Sequence, residues 1–252
     1  VIAEAENGIQ RLRELILELA VRGKLTEQQL DDSAVVKTLQ DIELLKENLY
    51  KNKKIRRQKD LTPIGYDDQS FEIPSTWEWV RLGSISTTIT DGTHHTPEYQ
   101  KEGVPFLSVK DISAGYLNFS NCQYISQEQH NQINQRCNPE KNDILICRIG
   151  TLGKAVTIET DRKFSIFVSV GLIKLTHHNR SHYIQYVLNS PFLEKQYQDI
   201  KAGGSHTNKL NLRDIPNILI PLPPLEEQKR IVKKIDELME LCDRAQASKK
   251  NR

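Results

Sequence analysis

The 252-residue chain lacks most of the features that announce a function at once. No apolar run approaches the roughly 18 residues a membrane-spanning helix needs, and nothing near the start resembles a signal peptide. The four cysteines, Cys122, Cys137, Cys147 and Cys242, form no CxxC or other close pair. That argues against a disulfide framework or a cysteine metal ladder, and for reduced thiols in a cytoplasmic protein with no membrane partner. Net charge is only +2, too small to announce a polyanionic partner.

Catalytic signatures are equally scarce. There is no HExxH motif, and His94-His95 and His177-His178 are adjacent pairs. Neighbours on a strand point to opposite faces, so such a pair rarely closes on one ion. Gly150-Thr-Leu-Gly153-Lys154 is shorter than a Walker A loop, and Ala155 stands where Ser or Thr would hold magnesium. A tight turn between two strands fits better. Asn189-Ser-Pro-Phe192 resembles the Asn-Pro-Pro-aromatic motif of amino-methyltransferases, but no Gly-rich methyl-donor loop accompanies it. Pro191 there reads as a helix break. Asp143 is not followed by the Glu-x-Lys of a nuclease centre, and no Ser-His-Asp set can be assembled. The expectation is a chain with no catalytic residue, no metal and no cofactor.

What is present falls into three regions. In residues 1–60, Ile9, Leu12, Ile16 and Leu19 make one helical stripe that Gly23 can stop. Val35, Leu39, Ile42, Leu45 and Leu49 make a second, with Asp32 or Ser33 as its cap. This second helix runs into Lys51, Lys53, Lys54, Arg56, Arg57 and Lys59, which reads either as a solvated helix end or as an aid to DNA binding.

Residues 61–222 change period. Short β-rich runs (Trp77–Leu82, Val104–Val109, Asp143–Ile149, Lys154–Ile158, Gly171–Leu175) are separated by Gly, Pro, Asn and Asp. Helical segments are expected near His182–Leu188 and Phe192–Ile200. The fold class is α+β: one mixed, largely antiparallel α/β domain flanked by helices. Between Leu61 and Leu222 there are 15 Lys plus Arg against 16 Asp plus Glu, so any DNA contact here depends on a few placed residues.

Residues 223–252 open with Pro223, Pro224, Glu226 and Glu227, suited to a helix N-terminus. Ile231, Ile235, Leu238, Cys242 and Ala245 follow at 4-3-4-3 spacing, a coiled-coil seam. The narrow stripe predicts pairing with a helix of another chain, a second copy above all; docking onto the middle domain is the alternative.

Three polar, Gly-bearing loops remain: residues 90–96, 148–154 and 203–209. Glycine lets a backbone approach a phosphate, while Ser, Thr, Asn, His, Lys and Arg supply donors to phosphates and base edges. The candidate DNA-contacting residues are Thr93, His94, His95, Arg148, Lys154, Ser205, His206, Thr207, Asn208 and Lys209. Ordinary surface loops share this composition.

Four segments in order resemble the specificity subunits of type I restriction-modification systems. They are Leu12 to Leu25, Ile73-Pro-Ser-Thr-Trp-Glu-Trp-Val-Arg-Leu-Gly83, Asp143 to Lys154, and Pro221 to Val232 with Ile235 to Asp243. Thr76 departs from the pattern, where Gly is commoner. The resemblance implies a target-recognition domain flanked by long conserved helices that act as a coiled-coil spacer. It implies double-stranded DNA as ligand, modification (methyltransferase) and restriction subunits as partners, and no catalysis by this chain. Full subunits of that family carry two such domains, each reading half of a bipartite site; this chain resembles one half, or a short half-subunit. A DNA-modifying enzyme in its own right and a structural coiled-coil adaptor are the rival classes.

Overall fold

The first apolar stripe folds as α1 (Gly8–Val21), which ends just before Gly23. Ile9 and Ile16 are buried, whereas Leu15, off the stripe, is exposed. The computed structural model describes residues 7–29, 31–57, 59–176, 180–202 and 209–250. The second stripe folds as α2 (Val35–Lys51), with Val35 and Ile42 buried and Leu45 left exposed. Neither expected cap is used: the residue before α2 is Ala34, which makes no side-chain cap. Asp32 instead accepts hydrogen bonds from Arg230 Nη1 at 2.8 Å and Nη2 at 2.5 Å. Two charge-assisted bonds from a guanidinium outweigh one cap bond to a backbone amide, and Asp32 is accordingly held below its ordinary carboxylate range.

The middle of the chain builds three sheets. In the smallest, β1 (Glu78–Arg81) pairs antiparallel with β9 (Leu219–Leu222), which brings the two ends of the β-rich region together. The largest has the order β2 (Ser86–Asp91), β8 (Val170–Leu175), β5 (Ile144–Cys147), β6 (Ala155–Thr157), all antiparallel. In the third, β3 (Val104–Leu107) lies between β4 (Gln123–Ile125), antiparallel, and β7 (Ser165–Ile166), parallel. The result is mixed and largely antiparallel, as the run pattern predicts. Helices α3 (Gln127–Asn134), α4 (Ser181–Leu188) and α5 (Pro191–Ala202) fill the connections.

The uninterrupted apolar run of β5 follows from burial on both faces. Ile144 and Ile146 enter one core with Ile173, α4, α5 and the terminal helices. Leu145 and Cys147 enter a second core with Leu172, Leu107 and Phe164. The outer edge of β6 is closed by side-chain amides one helical turn apart. Gln185 Oε1 accepts from Thr157 N at 2.5 Å, and Asn189 Oδ1 accepts from Ala155 N at 3.0 Å while its Nδ2 donates to Ala155 O at 2.9 Å. Asn189 thus braces a strand, and Pro191 opens α5. Two helical segments meet at that motif, as its reading as a helix break requires.

The last helix, α6 (Leu225–Lys250), corrects one expectation. Its stripe is covered by this chain: Ile231, Ile235 and Cys242 are buried and Leu238 packs against the same core. Its partners are α1, running antiparallel, with Arg13 Nη2 donating to Asp243 at 2.6 Å and to Gln246 at 3.0 Å, and α4 of the middle region, whose Tyr186 hydroxyl donates to Asp236, so the alternative of docking onto the middle domain holds in part. A narrow seam suits a two-helix contact, and α1 carries the complementary stripe within the same chain. At the other end of α6, buried Glu227 accepts from Trp77 Nε1 at 2.8 Å, Gln28 Nε2 at 2.8 Å and Thr26 Oγ1 at 3.2 Å. Burial pushes this carboxyl up, and the three donors oppose the shift. No helix among the described residues is long and apolar enough to cross a membrane.

Two outcomes follow. Ile235→Asp with Leu238→Asp unfolds the chain instead of merely separating subunits, since a buried aliphatic truncated only to Ala already costs about 2–5 kcal/mol; a melting curve retaining the wild-type midpoint would contradict this packing. Trp77→Phe removes a donor to a buried carboxylate and costs about 1.5–3 kcal/mol at neutral pH. Because desolvation raises the Glu227 pKa, the cost shrinks as pH falls towards and below its ordinary 4.5, where the carboxyl is protonated in folded and unfolded chains alike. Denaturant titrations at neutral and acidic pH check both magnitude and trend.

Candidate nucleic-acid interface

Loop 90–96, Arg148 and the Lys209–Leu210 segment meet at one end of the central sheet. Strand β2 ends at Asp91, which is 1% exposed, and Gly92 follows it. A Cβ on Gly92 would come within 2.0 Å of Ile166 O, so only glycine lets the chain cross β7 there. Thr93 N then donates to Ile166 O and Val168 N to Thr93 O, pinning the start of the first loop. Beyond that point His94 and His95 are exposed, and Thr93 Oγ1 bonds His95 at 3.2 Å.

Asp91 is surrounded by two arginines and an imidazole. Arg148 Nη1 donates to Oδ2, Arg136 Nη1 donates to Oδ1 at 3.0 Å, and His94 Nε2 lies 3.2 Å from both oxygens. Arg136 Nη2 also donates to Asp91 O at 2.8 Å and to Gly92 O. A buried carboxylate is tolerated only when paired and hydrogen-bonded, and here two guanidiniums do this. Two permanent cations against one anion leave positive charge at the surface, with the Arg136 side chain 47% exposed.

Arg148 itself departs from expectation. It was a candidate DNA contact, yet its side chain is only 4% exposed. Its guanidinium bonds Asp91 in the first loop, Val168 O at 2.9 Å and Leu210 O at 3.1 Å. Its own carbonyl accepts from Leu210 N at 2.8 Å, and Ile149 bridges to Lys209. Arg148 therefore draws loop 90–96, loop 148–154 and the far end of loop 203–209 into one surface. It organises that surface from beneath.

The other expected contacts divide. Thr93, His94, His95 and the half-buried Lys209 lie around this cluster. Lys154 does not: it stands opposite Cys147 in the β5–β6 hairpin, and its aliphatic stem runs past Gly115. Ser205, His206, Thr207 and Asn208 lie outside the described residues. Sequence reasoning passed over Asp91 and Arg136, which hold the first loop, and α3, which walls a groove of about 530 Å³ beside Thr93, His94 and His95. The available signal for α3 was the capping box Ser126-x-x-Gln129, in which Ser126 Oγ accepts from Gln129 N at 3.1 Å.

Over 95% of its length the chain is 29% identical to the EcoAI type I restriction enzyme specificity subunit of Escherichia coli, covering 41% of that protein. Over 94% it is 31% identical to the Escherichia coli EcoEI specificity subunit, covering 40% of it. The chain thus spans about two fifths of the length of the curated relatives it matches. In fold it is similar to the crystal structure of the HsdS subunit from Thermoanaerobacter tengcongensis, with a TM-score of 0.54 and 20% identity over 95% of this chain and 50% of that one. A structure from a study of assembly and conformational transition in the type I R-M system gives a TM-score of 0.55 at 21% identity, covering 96% of this chain and 53% of that one. The family model for the type I restriction modification DNA specificity domain matches residues 74–252, well over half of the chain, and the chain belongs to that family.

Proposed function

We propose that the chain is a non-catalytic, cytoplasmic DNA-reading unit of a type I restriction-modification complex, reading one half of a bipartite site on double-stranded DNA. The observation that carries this reading is Arg148 tying loop 90–96 and the Lys209–Leu210 segment to its own loop, with the exposed Arg136 guanidinium beside them. Phosphate contacts would set register there, and the exposed His94 and His95 with the half-buried Lys209 would meet base edges or phosphates.

The division of labour is 1–60 and 223–252 as helical spacer and 61–222 as target-recognition domain. The antiparallel α1–α6 pair supports a spacer formed within this chain, and the β1–β9 pairing supports a recognition domain that leaves and re-enters it at neighbouring points. Modification and restriction subunits would attach to the helical part. A second copy, if one completes the bipartite site, would join through a surface other than the buried Ile231–Cys242 stripe.

Binding at fixed salt to double-stranded DNA selected from a randomised pool tests the reading. The wild-type chain enriches a short motif, while His94→Ala and Lys209→Ala weaken binding without changing the melting temperature. A base contact costs about 1–3 kcal/mol and relaxes one position; a phosphate contact lowers affinity evenly and reduces the salt slope. Equal binding by both variants would remove these loops from the interface, and methyl-donor binding by the isolated chain would favour an enzyme instead.

A further inference from the structure

The groove beside the Asp91 cluster contains a side chain that the reading above leaves unused. One wall is loop 93–97; the other is α3, through Gln129, Gln132 and Ile133, with Arg136 just after it. Helix α3 is fixed on its inner side by buried His130, whose Nδ1 is 2.8 Å from Ser165 Oγ on β7. Just beyond its C-terminal end, Arg136 ties it to the carbonyl groups of Asp91 and Gly92. The two walls are thus held at a set separation, and Arg136 is a positioning residue for the loop that faces α3.

Gln132 is exposed on the groove side of this braced helix. Its Nε2 reaches Glu128 Oε1 only at 3.5 Å, the outer limit of a hydrogen bond, so the amide is available to a ligand. A carboxamide offers a donor and an acceptor side by side. That pair matches the N7 acceptor and N6 amino donor on the major-groove edge of adenine. The positive surplus of Arg136 and Arg148 over Asp91 favours the phosphate backbone that must lie alongside.

We propose that Gln132 is a specificity-determining residue that reads an adenine at one position of the DNA half-site, within the groove between α3 and loop 93–97. This rests on the DNA-reading function proposed above. The experiment is selection from a randomised duplex pool with wild type, Gln132→Ala, Gln132→Glu and Gln127→Ala, with melting curves on all four. Gln127 is exposed on the same helix outside the groove. Gln132→Ala is expected to lose the preference for A at a single position by about 5- to 150-fold, leaving the rest of the motif intact. Gln132→Glu shifts that position towards cytosine, whose amino group a carboxylate accepts, and Gln127→Ala changes nothing. An unchanged motif in Gln132→Ala and Gln132→Glu, an even loss over all positions, or the same loss in Gln127→Ala would overturn the assignment while leaving DNA reading intact. No enriched motif with wild type would overturn DNA reading itself, and this assignment with it.

Discussion

Asp91 is a carboxylate with almost no access to water, at the end of a strand that continues into the exposed loop 93–97. Left alone there, the charge would cost several kcal/mol, and breaking a buried pair by removing one partner typically costs about 3–5 kcal/mol. The fold meets this constraint by bringing Arg148 and Arg136 to it from segments 57 and 45 residues away in sequence. Other donors of the same two guanidiniums go to backbone carbonyl groups of neighbouring segments. Satisfying one buried charge therefore fixes three loop ends relative to one another. A planar guanidinium is suited to this because its donors diverge at fixed angles.

The scaffold beneath is built to keep that end still. Strands β5 and β8 are buried on both faces, so their ends have little freedom. Glu227, Arg230 and Asp32 lock the start of α6 to the connection between α1 and α2, and α1 lies along the rest of α6. The polar loops can then be rich in groups useful to a ligand and poor in groups that stabilise the fold. This separation of rigid frame from variable surface is common in binding proteins.

Sequence patterns disclosed the frame better than the surface. The helical stripe of α1 and the runs of β5 and β8 are governed by local period and burial, and each lies where that period put it. The stripe of α6 was equally visible, but a seam at 4-3-4-3 spacing is the same whether its partner lies in another chain or, as Arg13 does from Asp243, 230 residues earlier in this one. Arg148 in a Gly-rich turn has the composition of a phosphate contact; its burial depends on Asp91, a partner no local window contains. Helix α3, Gln-Glu-Gln-His-Asn-Gln-Ile-Asn, has almost no apolar period to report it. Its position follows from His130 meeting Ser165 and Arg136 meeting the first loop, both tertiary contacts.

The central claim is that the Arg148–Asp91 pair sets the geometry by which this chain selects DNA. Its most direct test is co-expression with the modification subunits, followed by mapping of methylated adenines over a whole genome for wild type and Arg148→Lys. Lysine retains the charge but not the fork. The account predicts one recurring split motif with wild type. With Arg148→Lys it predicts complexes that still assemble but methylate that motif weakly and with relaxed sequence. The same motif methylated to the same extent by both proteins would contradict it.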